Sequence, residues 1–325
     1  MLKQRRLRRR PNLGVEFSGG LLVATSGSSR IEMPVFDLSD RVKLRLTGSD
    51  RIRFLSGQVT NDIRKTNADL SLPACVLSAK GKIDALIFVT NGDDFLFLDS
   101  DPELRETLPA RLERYVIADD VVIEDVTENF ALFHATGESA PNVPNYAHWR
   151  RAKRFGMIGW DLLLPAGERD SARHLFETGG ELFDDAETER WRIEHGVARW
   201  GRELTPEIIP VEANLEADTI DYAKGCYIGQ EVISRMKKSG QTNKRLCGLV
   251  SIAGSPLSPE MRLFATNDER DVGQITSATH SDRLGKEIAL GFVKRGSNEI
   301  GTRLSARSAS DAATIDVEIV ELPFG

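Results

Sequence analysis

The chain has 325 residues, with 43 Lys and Arg against 49 Asp and Glu, a formal net charge of -6 and a pI near 5.6. That balance argues against broad, sequence-independent nucleic-acid binding, although a local basic patch is compatible with it. The length suits two or more modules, 40% hydrophobic and 28% charged residues are ordinary for a soluble globular protein, and no apolar run approaches the ~20 residues of a membrane span.

Met1 to Arg10 holds Lys3 and five arginines, and no acid precedes Glu16. It lacks the apolar segment of a secretory signal, so residues 1–35 read as a weakly structured basic arm. Order begins near Phe36. Val42, Leu44 and Leu46 alternate with Lys43 and Arg45, the pattern of a half-buried strand. The Gly48 turn leads into a short helix from Arg51 to Gly57. Cys75 to Ser78 and Ile83 to Thr90, joined by Ala79-Lys80-Gly81-Lys82, read as a hairpin. Asn91-Gly92 marks a turn before a strand from Phe95 to Asp99. Leu104, Leu108, Leu112 and Tyr115 make one helical stripe, which Pro109 should kink or split.

Strands follow at Val121 to Val126, Phe130 to Thr136 and Met157 to Leu164, with a loop from Ser139 to Asn145. Ser171 to Thr178 reads as a helix ended by Gly179-Gly180. Asp184-Asp185 caps a better one from Ala186 to His195, ended by Gly196. Beyond Gly240, strands at Leu246 to Ile252, Met261 to Ala265, Val272 to Thr279, Ala289 to Lys294 and Ile315 to Leu322 suggest a small barrel. Strands and helices alternate irregularly, with hairpins, which favours α+β. The expected division is an α+β body over residues 36–240 and a barrel over residues 244–325.

Lys224-Gly225-Cys226-Tyr227-Ile228-Gly229-Gln230-Glu231 is the stretch densest in chemistry. A helix starting near Tyr227 or Ile228 and running through Arg235, Lys237 and Lys238 places Cys226 at or just before its N-terminus. Unpaired N–H groups and the helix dipole favour a thiolate there. Lys224 adds positive charge, Gly225 permits a left-handed backbone, and Gln230 at i+4 shares a face with Cys226. The expected thiol is partly accessible and more acidic than the ~8.5 of a free cysteine, with Cys75 and Cys247 slower to react. A buried, inert cysteine in a tight glycine turn fits the same residues.

Cys75, Cys226 and Cys247 show no paired spacing, which indicates a reducing, cytoplasmic setting without disulfides. There is no Walker A loop and no dinucleotide fingerprint. The five histidines make no zinc spacing, and one motif cysteine cannot supply four thiolates, so no resident metal is expected.

Lys-Gly-Cys-Tyr-x-Gly-Gln-Glu resembles the signature of the YgfZ-type folate-binding proteins, relatives of the glycine-cleavage T-protein (aminomethyltransferase). Colinear stretches extend the resemblance over roughly Phe36 to Leu322. They include Leu46 to Ile63 with Gln58-Val59-Thr60-Asn61-Asp62, Trp191-Arg192-Ile193-Glu194-His195-Gly196, Gly201 to Leu215, Gly273 to Ala278 and Ala289 to Val293. The resemblance implies a T-protein-like fold and a reduced folate, such as tetrahydrofolate, as ligand. It also implies a part in iron–sulfur protein assembly or repair, hence in tRNA modification, with iron–sulfur proteins as partners.

By the same resemblance Glu194 contacts the pterin with Trp191 beside it. Lys224, Gly225, Tyr227, Gly229, Gln230 and Glu231 lie along the folate cleft, and Arg235 and Arg245 are candidates for the glutamate tail. Cys226 and Asp84 are the implied catalytic groups. The T-protein carries paired aspartates after its glycine hairpin turn and lacks the octet's cysteine. Here Asp84 is followed by Ala85, and Cys226 is present. Both departures favour the YgfZ branch over a folate-dependent aminomethyltransferase.

Overall fold

The computed structural model describes residues 33–141, 143, 148–240, 242–266, 269–308 and 314–325. The basic arm up to residue 32 and part of the Ser139 to Asn145 loop lie outside the described residues.

Nine strands form the body: β1 (Val35–Asp37), β2 (Val42–Thr47), β3 (Leu70–Leu77), β4 (Ile83–Asn91), β5 (Phe95–Ser100), β6 (Val122–Asp125), β7 (Phe130–Thr136), β8 (Trp149–Arg154) and β9 (Met157–Pro165). They make one sheet in the order β1-β7-β9-β8-β3-β4-β5-β2-β6. Every pairing is antiparallel except β3 with β8, where Leu70 and Ser71 meet Arg151 and Ala152 in parallel. That short seam divides the sheet into two halves.

Helices α1 (Arg51–Gln58) and α2 (Thr107–Glu113) close the first half over Leu44, Leu55, Ile87, Leu98 and Leu112. Pro109 splits the expected helix as anticipated. A 3-10 turn at Pro102–Leu104 comes first, and α2 starts at Thr107, so Pro109 falls in a first turn where its missing N–H is harmless. Helix α3 (Arg169–Gly179) covers the second half through Ala172 and Phe176, against Phe133 and Trp149. Helix α4 (Asp185–Glu194) begins with a full capping box, Asp184 with Glu187.

Two short helices follow, α5 (Glu216–Thr219) and α6 (Gln230–Ser239). The chain then enters β10 (Lys244–Ser251), β11 (Arg262–Ala265), β12 (Asp271–Ser281), β13 (Lys286–Lys294), β14 (Arg303–Arg307) and β15 (Thr314–Val320), a closed barrel ordered β10-β13-β12-β11-β14-β15. The fold is α+β with a C-terminal barrel. A shared core welds the parts: Cys75, Leu77 and Ile83 of the sheet, Ile193 of α4, Ile233 of α6, and Leu246 and Leu290 of the barrel pack together.

Three strands carry no sequence signal. β1 has only three residues. β8 reads Trp-Arg-Arg-Ala-Lys-Arg, and a buried arginine disguises its alternation. β14 reads Arg-Leu-Ser-Ala-Arg, with polar residues at both ends.

Candidate functional site

The octet differs locally from the expectation. Helix α6 begins at Gln230, capped by Gly229 in a left-handed conformation (φ 85). Cys226 therefore lies four residues ahead of the helix, and the dipole argument for a thiolate does not reach it. Gln230 shares no helical face with Cys226; its Oε1 instead accepts the Tyr227 N–H at 3.2 Å. The left-handed glycine is Gly229, whereas Gly225 keeps an ordinary φ in open space. The reason is close packing. A Cβ on Gly229 would stand 2.6 Å from the Ser78 carbonyl oxygen, and one on Gly81 2.8 Å from Val232 Cβ. The β3–β4 turn and the start of α6 thus meet through two glycines.

Lys224 turns inward. Its Nζ donates to the carbonyls of Ser56 (2.8 Å), Val59 (2.5 Å) and Asn61 (2.8 Å). Burial lowers its pKa to about 8, against the pull of the Asp62 and Asp221 carboxylates. Thr60 Oγ1 donates to the Thr219 carbonyl at 2.5 Å and accepts from the Cys75 N–H at 2.9 Å. Asn61 Nδ2 donates to the carbonyls of Pro73 (2.8 Å) and Asp218 (3.0 Å). The Thr60-Asn61-Asp62 segment is thus a joint between α1, β3 and the approach to the octet. Outside that joint Cys226 is exposed, together with Gly225, Glu231 and Arg235.

A cavity of about 470 Å³ opens where the two half-sheets, the end of α4 and the barrel meet. Its walls include Leu86 and Phe88 of β4, Arg154 and Phe155 at the β8–β9 turn, His195 after α4, and Arg245 of β10. Arg154 lies 3.8 Å from the Phe88 ring centroid. It donates to Asp99 at 3.0 and 2.6 Å and to Asp161 at 2.8 Å through both Nε and Nη2. Asp161 also accepts from His134 Nδ1 at 2.8 Å, and Asp99 from Arg41 Nε at 2.5 Å.

Arg154, Asp99 and Asp161 are each under 5% exposed, so every charge here depends on its partners. Burial opposes the Arg154 cation, yet the two carboxylates push its pKa upward. Burial likewise opposes the Asp161 anion, and Arg154 and His134 hold it far below the usual carboxylate range. Burial lowers the pKa of His134, whose Nε2 has no partner among the described residues. A neutral imidazole with its proton on Nδ1 satisfies both observations. Asp99 belongs to β5, and Arg154 and Asp161 to β8 and β9, so the network ties the half-sheets across the seam and backs the cavity.

Among the residues anticipated from sequence, Arg245 lines this cavity, its Nε donating to Asn214 Oδ1 at 2.7 Å. The octet does not: Lys224, Gly225, Cys226, Tyr227, Gly229, Gln230 and Glu231 are absent from its walls. Glu194 is buried and turned to the barrel, where Oε1 accepts from Ser281 Oγ at 2.5 Å and Oε2 lies 3.5 Å from Arg283 Nε. Its neighbour Arg192 clamps the same strand through Glu203 (3.1 Å) and Ser277 Oγ (2.6 Å). Trp191 stands one layer behind the wall, stacked on His195 with centroids 4.2 Å apart. Asp84 is paired with Arg111 at 2.8 Å, which also holds Gln58 and the Leu77 carbonyl. Arg235 is exposed on α6. Sequence reasoning missed Phe88, Arg154 and Phe155, which lie in no motif, and passed over His195, which sits in the Trp191 to Gly196 stretch beside the glutamate that drew the assignment.

The glycine cleavage T-protein C-terminal barrel domain family matches residues 244–324. The tRNA-modifying protein YgfZ of Sodalis glossinidius is 28% identical over 274 residues, covering 77% of this chain and 82% of that protein. The aminomethyltransferase of Herpetosiphon aurantiacus is 27% identical, covering 96% of this chain and 89% of that protein. The solved aminomethyltransferase T of the glycine cleavage system from Bartonella henselae matches with a TM-score of 0.78 at 19% identity, over 90% of this chain and 86% of that one, a likeness of fold.

Proposed function

Because this chain belongs to the YgfZ and T-protein-like family, we propose that it is a folate-binding accessory protein serving tRNA modification through the assembly or repair of iron–sulfur enzymes. The observation that carries the reading is the central cavity. Its volume of about 470 Å³ suits a small-molecule site, and both half-sheets, the end of α4 and the barrel wall it. Leu86, Phe88 and Phe155 add apolar wall beside which a flat heteroaromatic ring could lie, and His195 and Asn214 offer hydrogen bonds. Arg245 supplies positive charge for the carboxylates of a folate tail, and Lys153, also on the wall, is paired with Asp218 at 2.6 Å.

Cys226 belongs to the reading as the group that faces a protein partner. It stands exposed beside the octet joint and off the cavity wall, so ligand and thiol occupy different places. Asp84, with Arg111 on its carboxylate and Ala85 beside it, supports the accessory role over aminomethyl transfer.

Titration calorimetry with tetrahydrofolate tests the ligand. Wild type binds, and Leu86→Trp, which fills the cavity, binds at least about tenfold more weakly with an unchanged circular dichroism spectrum. No binding at millimolar ligand sinks the folate reading. Complementation of a strain lacking its YgfZ-type protein, scored by iron–sulfur enzyme activity, tests the accessory role. Wild type restores that activity and Leu86→Trp does not. Aminomethyl turnover on the bound folate would make the transferase the better reading.

A further inference from the structure

The two strands that end the nine-stranded sheet differ. β1 is flanked on its outer side: the Val35 N–H donates to the Glu181 carbonyl at 2.8 Å, and the Val35 carbonyl accepts from the Phe183 N–H at 2.9 Å. β6 pairs with β2 alone. Where that ladder continues, the Val126 N–H donates to the Lys43 carbonyl at 2.9 Å. Antiparallel bonds alternate residue by residue, so the N–H and carbonyl groups of Ile123 and Asp125 face away from β2. No backbone partner meets them among the described residues. Beside this bare edge two apolar side chains stand in water, Val122 at 53% exposure and Ile117 at 90%.

The edge is also acidic. Residues 101–128 hold nine Asp and Glu against three arginines and no lysine. Arg111 is turned inward to Asp84, and Arg105 is taken up by Asp125 and Glu128. Glu124 of β6 is exposed, as are Glu106 and Glu113 at α2, which packs against β6, and none of the three has a cation among the described residues. Ile123 packs into the core beneath α2, so Glu124 lies on the opposite face of its strand. A strand laid along β6 therefore meets carboxylates on both of its faces. A short acidic edge repels acidic strands and accepts basic ones.

The chain carries a segment of that chemistry. Residues 1–10 include Lys3, Arg5, Arg6, Arg8, Arg9 and Arg10, with Leu2 and Leu7 to suit Val122 and Ile117. Only Leu38 to Arg41 separate β1 from β2, the partner of β6. Between Arg10 and Met33 lie 22 residues. At ~3.3 Å per extended residue they reach up to ~70 Å, beyond the ~38 Å of eight sheet intervals. We infer that β6 is the docking edge for the chain's own basic arm, with residues 1–10 added beside it as a further strand. Backbone bonds fill the open groups of Ile123 and Asp125, and the arginines meet Glu124 on one face and the α2 carboxylates on the other. The inference is independent of the folate reading.

Hydrogen exchange of the full-length protein, read by mass spectrometry over Val121 to Val126, tests this. At low salt the Ile123 and Asp125 amides of wild type exchange about tenfold more slowly than those of a variant carrying Arg5→Ser, Arg6→Ser, Arg8→Ser, Arg9→Ser and Arg10→Ser. Salt at about 0.5 M removes most of the difference, because exposed charges are then screened within ~4 Å. Glu124→Lys loses the protection. Glu299→Lys makes the same charge change at an exposed residue between β13 and β14, and it keeps the protection. Equal exchange in wild type and the arginine variant overturns the docking. Loss of protection in Glu299→Lys overturns it too, because overall charge would then suffice. Protection that rises with protein concentration, alongside a dimer in sedimentation, gives the edge to a second copy and overturns docking within one chain.

Discussion

The octet joint and the central cavity are built on opposite plans. At the joint a lysine ammonium satisfies backbone carbonyls, glycines let two segments touch, and the cysteine is left on the outside. At the cavity wall a guanidinium is locked between carboxylates from two other strands, and the space in front is left open. The joint depends on backbone shape, whereas the wall depends on charges that are costly when unpaired. A recognisable motif, then, need not mark where a ligand sits; here much of it marks where segments are fastened.

The strongest way to break the contrast is Arg154→Met. It leaves Asp99 with Arg41 and buried Asp161 with only His134, and urea denaturation should show a loss of about 3–5 kcal/mol. A loss below about 1 kcal/mol would mean that the seam does not depend on paired charge.

A paired substitution at the joint is sharper though smaller. Gly229→Ala forces a left-handed alanine against the Ser78 carbonyl and should cost about 1–3 kcal/mol in thermal or urea unfolding. Gly225→Ala, in open space, should stay within about 0.5 kcal/mol. Equal costs would show that the left-handed turn is not what fastens α6.

The smallest stability effect belongs to the thiols. Cys226→Ala removes an exposed side chain and should leave stability within about 0.5 kcal/mol. In wild type, alkylation followed by mass mapping should modify Cys226 first. Burial raises the pKa of Cys75 to about 12 and of Cys247 to about 11, so both remain protonated in the native protein as pH rises through 9, and their labelling stays slow. If native Cys247 reacts as fast as Cys226, the joint does not present its cysteine as the structure indicates.

Elements written in local pattern are legible in the sequence alone. The hairpin of β3 and β4, the helix capped by Asp184 and most of the barrel follow from alternation, turn residues and caps. The octet is legible as a motif, but the start of its helix is not. Tyr227 and Ile228 suit a helix by themselves, and only contact with Ser78 and Gly81 requires the left-handed Gly229 that delays it to Gln230. Glu194 stands out in its motif, yet sequence cannot say which way its carboxylate points. Ser281, 87 residues away, decides that.

By itself the sequence determined what is local or repeated: an α+β chain with a C-terminal barrel, the turns, the caps and the motif cysteine. Tertiary structure alone decided the cavity. Its wall needs β8 to lie parallel to β3 and Arg154 to sit between Asp99 and Asp161, partners 55 and 7 residues distant. A buried arginine in a charged stretch reads as a surface residue until its carboxylates are seen around it. Burial is a property of the assembled chain, and pattern along the sequence reports it only where apolar residues do the burying.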